Sequence, residues 1–154
     1  MTSEIISQEI IENHEIRLES NISIHHHTVA NPCPITGGQF YKVVLETIDL
    51  NRIFLCHSLG FVNFTQNDSF RLSETLENHP PKKQITDFKV MGIDLRQSFD
   101  RAPIFLSNDL STGNLVALDG NHRLISHYLI HRNIEGLQAY LFVHNNATNC
   151  QWYI

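Results

Sequence analysis

Cysteine, tryptophan and long apolar runs are scarce in this sequence, and their scarcity excludes several classes of protein. The 154 residues include 3 Cys and 1 Trp, and the longest unbroken apolar run, 139–143, is far too short to span a bilayer. No charged segment followed by an apolar stretch opens the chain, so no secretory signal is predicted. No Cys-x-x-Cys or Cys-x-x-His pair occurs, so a zinc knuckle is not expected and reduced thiols are predicted.

Basic residues are also few. Lys and Arg total 11 against 16 Asp and Glu, which gives a net charge of −5. A protein that binds nucleic acid mainly through backbone phosphates usually has a basic surface, so nucleic-acid binding is disfavoured. Leu, Ile, Val and Phe make up roughly a third of the chain, well above the level typical of disorder. We therefore predict a single globular domain over 1–154, cytoplasmic and not bound to membranes.

The last third of the chain has the clearest pattern of secondary structure. Apolar runs bounded by proline, glycine and asparagine predict strands at 103–106, 114–118 and 137–143. Apolar residues at helical spacing predict a helix over 121–132. Strand, helix and strand in about thirty residues are typical of a βαβ crossover, so the strands at 114–118 and 137–143 are predicted to be parallel.

Earlier in the chain, alternation of apolar and polar residues predicts a strand at 40–50. The segment 53–64 is predicted to form another strand or a hairpin around Gly60. A short helix is predicted at 94–101.

The predicted strand-to-helix turn at 119–123 contains residues that suit an anion. Gly120 lets the backbone come close to a ligand, and the first-turn amides and the helix dipole favour negative charge. Arg123 adds a forked donor for phosphate oxygens, and His122 adds a second donor. A plain turn, in which Asn121 caps the helix and Arg123 is solvated, is consistent with the same residues.

The run from Pro103 through Asp-Gly-Asn-His-Arg-Leu at 119–124 to Val143 resembles the superfamily of ParB amino-terminal domains and sulfiredoxins. The shared pattern is a Pro-Ile strand, a strand that ends in Asp-Gly or Gly-Gly, and x-His-Arg at the start of a helix. The resemblance covers 103–143 and implies an α+β fold with a mixed sheet, whose Gly-x-His-Arg turn holds nucleotide phosphates. Its members include sulfiredoxins, nucleotide-hydrolysing partition proteins, a free-serine kinase that uses ADP, and proposed nucleases.

One departure from the superfamily narrows the activity that the resemblance implies. Sulfiredoxin needs a cysteine where Asn121 stands, and Cys33, Cys56 and Cys150 all lie outside the motif, so reduction of sulfinic acids is not predicted. The segment Asp-Gly-Asn-His-Arg is most similar to the Asp-Gly-His-His-Arg form of the kinase branch.

The turn and the resemblance together predict a nucleotide-binding protein that uses ATP or another nucleotide with Mg²⁺. As an enzyme it would be a phosphotransferase or a nucleotide hydrolase acting on a small-molecule or protein acceptor. Asp119 and His122 are the predicted catalytic residues, and Asp119 is also the predicted Mg²⁺ ligand. The predicted phosphate-binding residues are Gly120, Asn121, His122, Arg123, Ser98 and Arg96, the last two because the helix before Pro103 adjoins the site in the superfamily. The alternatives are a non-catalytic nucleotide- or DNA-binding regulatory module and a ParB-like nuclease.

Other candidate ligands are weaker. On a strand, the three histidines at 25–27 would direct only two side chains to one face. His127 and His131 lie one helical turn apart, but no third ligand is evident, so a solvated helix face is favoured. Glu46 and Asp49 are predicted to be surface carboxylates.

Overall fold

Six strands of the chain form one mixed sheet in a computed structural model that describes residues 1–6, 37–56, 69–74, 102–111, 113–150 and 153. The strands are β1 (Thr2–Ile6), β2 (Gln39–Val44), β3 (Ile53–Phe54), β4 (Ile104–Ser107), β5 (Leu115–Asp119) and β6 (Gln138–Val143). The α-helix α1 spans Asn121–His131, and 3₁₀ helices span Thr47–Arg52, Leu72–Glu74 and Ala147–Asn149. No helix in this part of the chain is long and apolar enough to cross a membrane.

The strand order across the sheet is β1-β2-β6-β4-β5-β3. The pairs β1/β2, β2/β6 and β4/β5 are antiparallel, whereas β4/β6 and β3/β5 are parallel. The sheet is therefore mixed, and the predicted α+β class is confirmed. The predicted elements of the last third are also present, and α1 begins at the predicted residue.

The predicted parallel relation between the strands on either side of α1 is wrong. Strand β4 lies between β5 and β6, and it is antiparallel to β5 but parallel to β6. The strands β5 and β6 therefore run in opposite directions, and the parallel pair is β4 with β6. Local apolar spacing sets which segments are extended, but the direction of a strand depends on pairing with residues far away in sequence.

Each face of the sheet buries its own apolar cluster. On one face, β-strand residues such as Phe105, Ala117 and Leu141 pack with the apolar side of α1, which contributes Leu124, Ile125, Tyr128 and Leu129. On the other face, Phe40 stacks on Phe142 with ring centroids 4.7 Å apart, and Ala147 and Cys150 of the C-terminal segment join that cluster. Burial on both faces explains why the first three residues of β4 are all apolar instead of alternating with polar residues.

The strand predicted at 40–50 ends at Val44, and a 3₁₀ helix follows. Asp49, predicted at the surface, is 3% exposed. Its Oδ2 accepts a hydrogen bond from Glu46 N–H at 2.8 Å and lies 3.3 Å from the Met1 amine, and its Oδ1 lies 3.2 Å from Arg52 Nε. The carboxylate is buried because it closes the first turn of this helix and because two cations surround it.

Several predictions fall on residues outside the described ranges. They concern the helix predicted at 94–101 with Arg96 and Ser98, the histidines at 25–27, and residues 57–64 of the segment predicted at 53–64. Of that segment the structure describes 53–56, and the strand β3 covers its first two residues. The predicted reduced state of the cysteines is confirmed for Cys56, which is a free thiol, and is wrong for Cys150, which is disulfide-bonded.

Candidate functional site

The turn between β5 and α1 depends on Gly120. This residue has φ 80° and ψ 15°, the left-handed region that side chains other than glycine rarely adopt. A Cβ at Gly120 would also lie 3.0 Å from Pro103 Cα and 3.0 Å from Arg123 Nη2. Its carbonyl accepts the first bond of the helix, from Leu124 N–H at 2.8 Å. Backbone conformation and space therefore both require glycine here.

A β-bulge comes immediately before the turn. Asp119 pairs with Ile104 of β4, while Ala117 pairs with Phe105, so Leu118 is the extra residue on β5. A bulge bends its strand and changes the direction of the side chains beside it. Asp119 is therefore the last residue of an irregular strand end, immediately before the turn.

Arg123 and Asp119 form an ion pair across the turn. Arg123 Nη2 lies 3.1 Å from Asp119 Oδ2, and the side chains are 13% and 36% exposed, respectively. Because Nη2 is also next to the position of a Gly120 Cβ, the guanidinium lies beside the N-terminus of α1. Arg123 is therefore held against the turn, in contrast to the solvated arginine of a plain turn.

Asn121 is the first residue of α1, and Gly120 is the N-cap. The Asn121 side chain accepts a hydrogen bond from Cys56 N–H at 2.9 Å and donates one to the Ala117 carbonyl at 3.0 Å. The amide thus connects the residues after β3 to β5 and to α1. The Asn121 side chain is therefore engaged within the fold through its Oδ1 and one of its two amide hydrogens.

His122 is exposed in the first turn of α1. Partial desolvation by the surrounding protein nevertheless lowers the pKa of its imidazole below the ordinary value of 6.5. The ring is therefore neutral at pH 7, with one nitrogen able to accept a proton. A neutral imidazole can act as a general base.

Mg²⁺ binding at Asp119 stays a prediction. Within the described ranges, no group of three or more His, Cys, Asp and Glu side chains could hold a metal ion. The Asp119 carboxylate faces a guanidinium, and Mg²⁺ bound there would need most of its oxygen ligands from a nucleotide and water. The rings of His127 and His131 are tilted by 37° with centroids 4.4 Å apart. His131 is exposed, as predicted for a solvated helix face, whereas His127 is half-buried.

Cys56 lies next to the turn but does not suit redox or nucleophilic chemistry. Its side chain is 5% exposed, and burial raises the pKa of its thiol to about 12. The thiol therefore stays protonated at neutral pH, and the thiolate is the reactive form. Sequence reasoning missed the contact between Cys56 and Asn121, because no local pattern relates residues 65 positions apart.

Compared with known proteins, the chain matches no family model, no curated protein and no solved structure. The resemblance to the ParB and sulfiredoxin superfamily therefore remains a prediction that depends on the residues of 103–143.

Proposed function

We propose that this chain binds a nucleoside di- or triphosphate, with the phosphates at the Asp119–Arg123 turn. The observation that carries the proposal is the position of the Arg123 guanidinium beside Gly120, at the N-terminus of α1. A helix N-terminus attracts anions through its amides and its dipole, and a guanidinium is a rigid fork of donors for phosphate oxygens. In this protein the helix N-terminus and the Arg123 guanidinium lie side by side.

The first-turn amides of α1 support the proposal in a second way. The main-chain N–H groups of Asn121 and His122 lie in the first turn, before the bond from Leu124 N–H to the Gly120 carbonyl. These amides, with Arg123, make up the proposed phosphate-binding set.

As an enzyme, the protein would transfer or hydrolyse the terminal phosphoryl group. His122, neutral at pH 7, is the residue we assign to remove a proton from the acceptor hydroxyl or from water. Mg²⁺, when bound, would enter with the nucleotide and neutralise phosphate charge. Ser98 and Arg96 remain further candidates for phosphate contacts.

A nucleotide panel tests the proposal. Thermal unfolding is measured with ATP, ADP, CTP, GTP and AMP, each with Mg²⁺. A ligand present at about 100 times its dissociation constant stabilises the folded state by about 2.7 kcal/mol, which raises the Tm of a chain of this size by several degrees. A panel in which no nucleotide shifts the transition would contradict the proposal.

Product formation then separates an enzyme from a binding module. Release of inorganic phosphate, or loss of the terminal phosphoryl group to an added acceptor, indicates a hydrolase or a phosphotransferase. Binding with no turnover indicates a regulatory module. DNA binding that weakens steeply with added salt would instead favour the nucleic-acid alternatives.

A further inference from the structure

The amino group of Met1 lies between two carboxylates beside the 3₁₀ helix at Thr47–Arg52. Its nitrogen is 2.7 Å from Glu46 Oε1 and 3.3 Å from Asp49 Oδ2. The side chains of Met1 and Asp49 are both 4% exposed, whereas that of Glu46 is 46% exposed. The pair with Asp49 is therefore largely removed from solvent, and loss of one partner of such a pair costs more than loss of a surface pair.

The Met1 amine is positively charged at pH 7. Burial lowers its pKa, but hydrogen bonds and charge interactions with Glu46 and Asp49 outweigh that effect and raise the pKa above the ordinary value of 8.0. Asp49 also lies 3.2 Å from Arg52 Nε, and Arg52 donates hydrogen bonds to the carbonyls of residues 110 and 111, in the loop between β4 and β5. The amine thus belongs to a set of polar contacts that connects the start of β1 to that loop.

Strand β1 lies at the edge of the sheet and, among the described strands, pairs with β2 alone. An edge strand has one row of backbone hydrogen bonds to a neighbour, so contacts at its ends contribute strongly to keeping it in place. The Met1 side chain also packs against the apolar cluster on the α1 face of the sheet. Charge and packing at Met1 therefore both fix the start of β1.

We propose that the Met1 amine, with Asp49 and Glu46, forms a latch that holds β1 on the sheet, and that acylation of this amine releases the strand. The inference is independent of nucleotide binding. In the reaction, the neutral amine of the open or unfolded chain attacks the carbonyl carbon of an acyl thioester. The C–N bond forms, the C–S bond breaks, and the amine proton passes to the departing thiolate. The amide product has no charge, so Asp49 loses its partner at the start of β1.

Three chains that differ only at the amino terminus test the latch. Two are released from a cleavable fusion, one beginning at Met1 and one with the dipeptide Gly-Ser before Met1. The third has an acetyl group on the Met1 amine, confirmed by intact-mass spectrometry. The extension and the acetyl group both replace the ammonium by an amide N–H and leave every side chain in place. Hydrogen exchange in β1 should be at least about tenfold faster in both modified chains, whereas exchange in β4 and β5 should change less than about twofold.

The same three amino termini are then compared in variant backgrounds. In Asp49→Asn, where the buried carboxylate is already neutral, modification of the amine should change exchange in β1 by less than about threefold. Glu46→Gln is a second background, in which the effect should also become smaller. Glu4→Gln is the matched control, because it removes a charge from an exposed position of β1 and should keep the full effect of modification. Circular dichroism checks that each protein is folded.

Three results would overturn the inference. The first is equal exchange of β1 in the free, extended and acetylated chains. The second is a full effect of modification in both Asp49→Asn and Glu46→Gln, because charge pairing would then not be its cause. The third is equal acceleration in β1, β4 and β5, which would mean that the amine supports the fold as a whole and does not act on one strand.

Discussion

Gly120 determines the geometry of the turn. Its left-handed backbone conformation is unfavourable for residues with a side chain, and a Cβ at this position would lie close to Pro103 and Arg123. The three residues that follow it have different roles. Asn121 uses its side chain to hold the fold together, Arg123 lies beside the helix N-terminus, and His122 is the titratable group. These assignments lead to two predictions at the scale of single residues.

Gly120→Ala should destabilise the protein more than Gly136→Ala. Both glycines have positive φ, 80° and 76°, so alanine costs about 1–2 kcal/mol at either site. Only at Gly120 would the new Cβ also meet Pro103 Cα and Arg123 Nη2, whereas nothing lies within 4 Å at Gly136. Urea denaturation measures both variants. Equal losses in the free energy of unfolding would show that the close contacts at Gly120 do not matter.

Anion binding at the turn should become tighter as the pH falls from about 7.5 to 5.5. Desolvation lowers the pKa of His122, so the free protein holds a neutral ring, and a bound phosphate should raise that pKa and draw in a proton. The same lowered pKa should cost the ligand-free protein stability below about pH 6.5, where the unfolded chain binds more protons.

Calorimetric titration of ADP over this pH range is compared between wild type and His122→Gln. The titration of ADP itself is common to both proteins, so the difference reports on His122. Parallel pH profiles would remove His122 from the site.

At the scale of elements, the 3₁₀ helix at Thr47–Arg52 is held by charges at both ends. Asp49 closes its first turn and contacts Arg52, and Glu135 accepts hydrogen bonds from Thr47 N–H and Oγ1 at 2.7 and 2.6 Å. These bonds to Thr47 lower the pKa of the Glu135 carboxyl. The two carboxylates differ in burial, and this difference gives a matched comparison.

Asp49→Asn should lower the free energy of unfolding by about 3 kcal/mol, the usual cost of removing one partner from a buried ion pair. The carboxylate is 3% exposed and faces the Met1 amine and Arg52. Glu135→Gln should cost much less, because Glu135 is exposed. Chemical denaturation at pH 7 measures both, and a loss for Asp49→Asn no greater than that for Glu135→Gln would contradict the assigned role of Asp49.

At the scale of the whole molecule, sequence patterns predicted the elements better than their arrangement. The apolar spacing on α1 and the runs of β4, β5 and β6 depend on neighbours in sequence, so their positions could be predicted to within a residue or two. The antiparallel relation of β5 and β6 depends on β4 lying between them. The burial of Asp49 depends on its contact with the Met1 amine, which lies far from it in the sequence.

The same distinction between local patterns and long-range contacts applies to the candidate site. Gly120, His122 and Arg123 are close in the structure because they are close in sequence. The ion pair between Arg123 and Asp119 and the hydrogen bond from Cys56 N–H to Asn121 follow from side-chain orientation and from chain segments that meet only in the fold. The sequence could therefore predict which residues form the turn. It could not predict which of their side chains form contacts within the fold.

Titration of ADP into wild type, Arg123→Ala and Arg123→Lys tests the central claim most directly. A charge-assisted bond to phosphate contributes about 1.5–3 kcal/mol, so Arg123→Ala should weaken binding about tenfold to 150-fold. Arg123→Lys should recover only part of the affinity, because an ammonium group cannot reproduce the guanidinium fork. Lys42→Ala, which removes an equal charge at an exposed position of β2, should bind ADP as wild type does. Equal dissociation constants for wild type and both Arg123 variants would contradict the claim that this turn holds the phosphates.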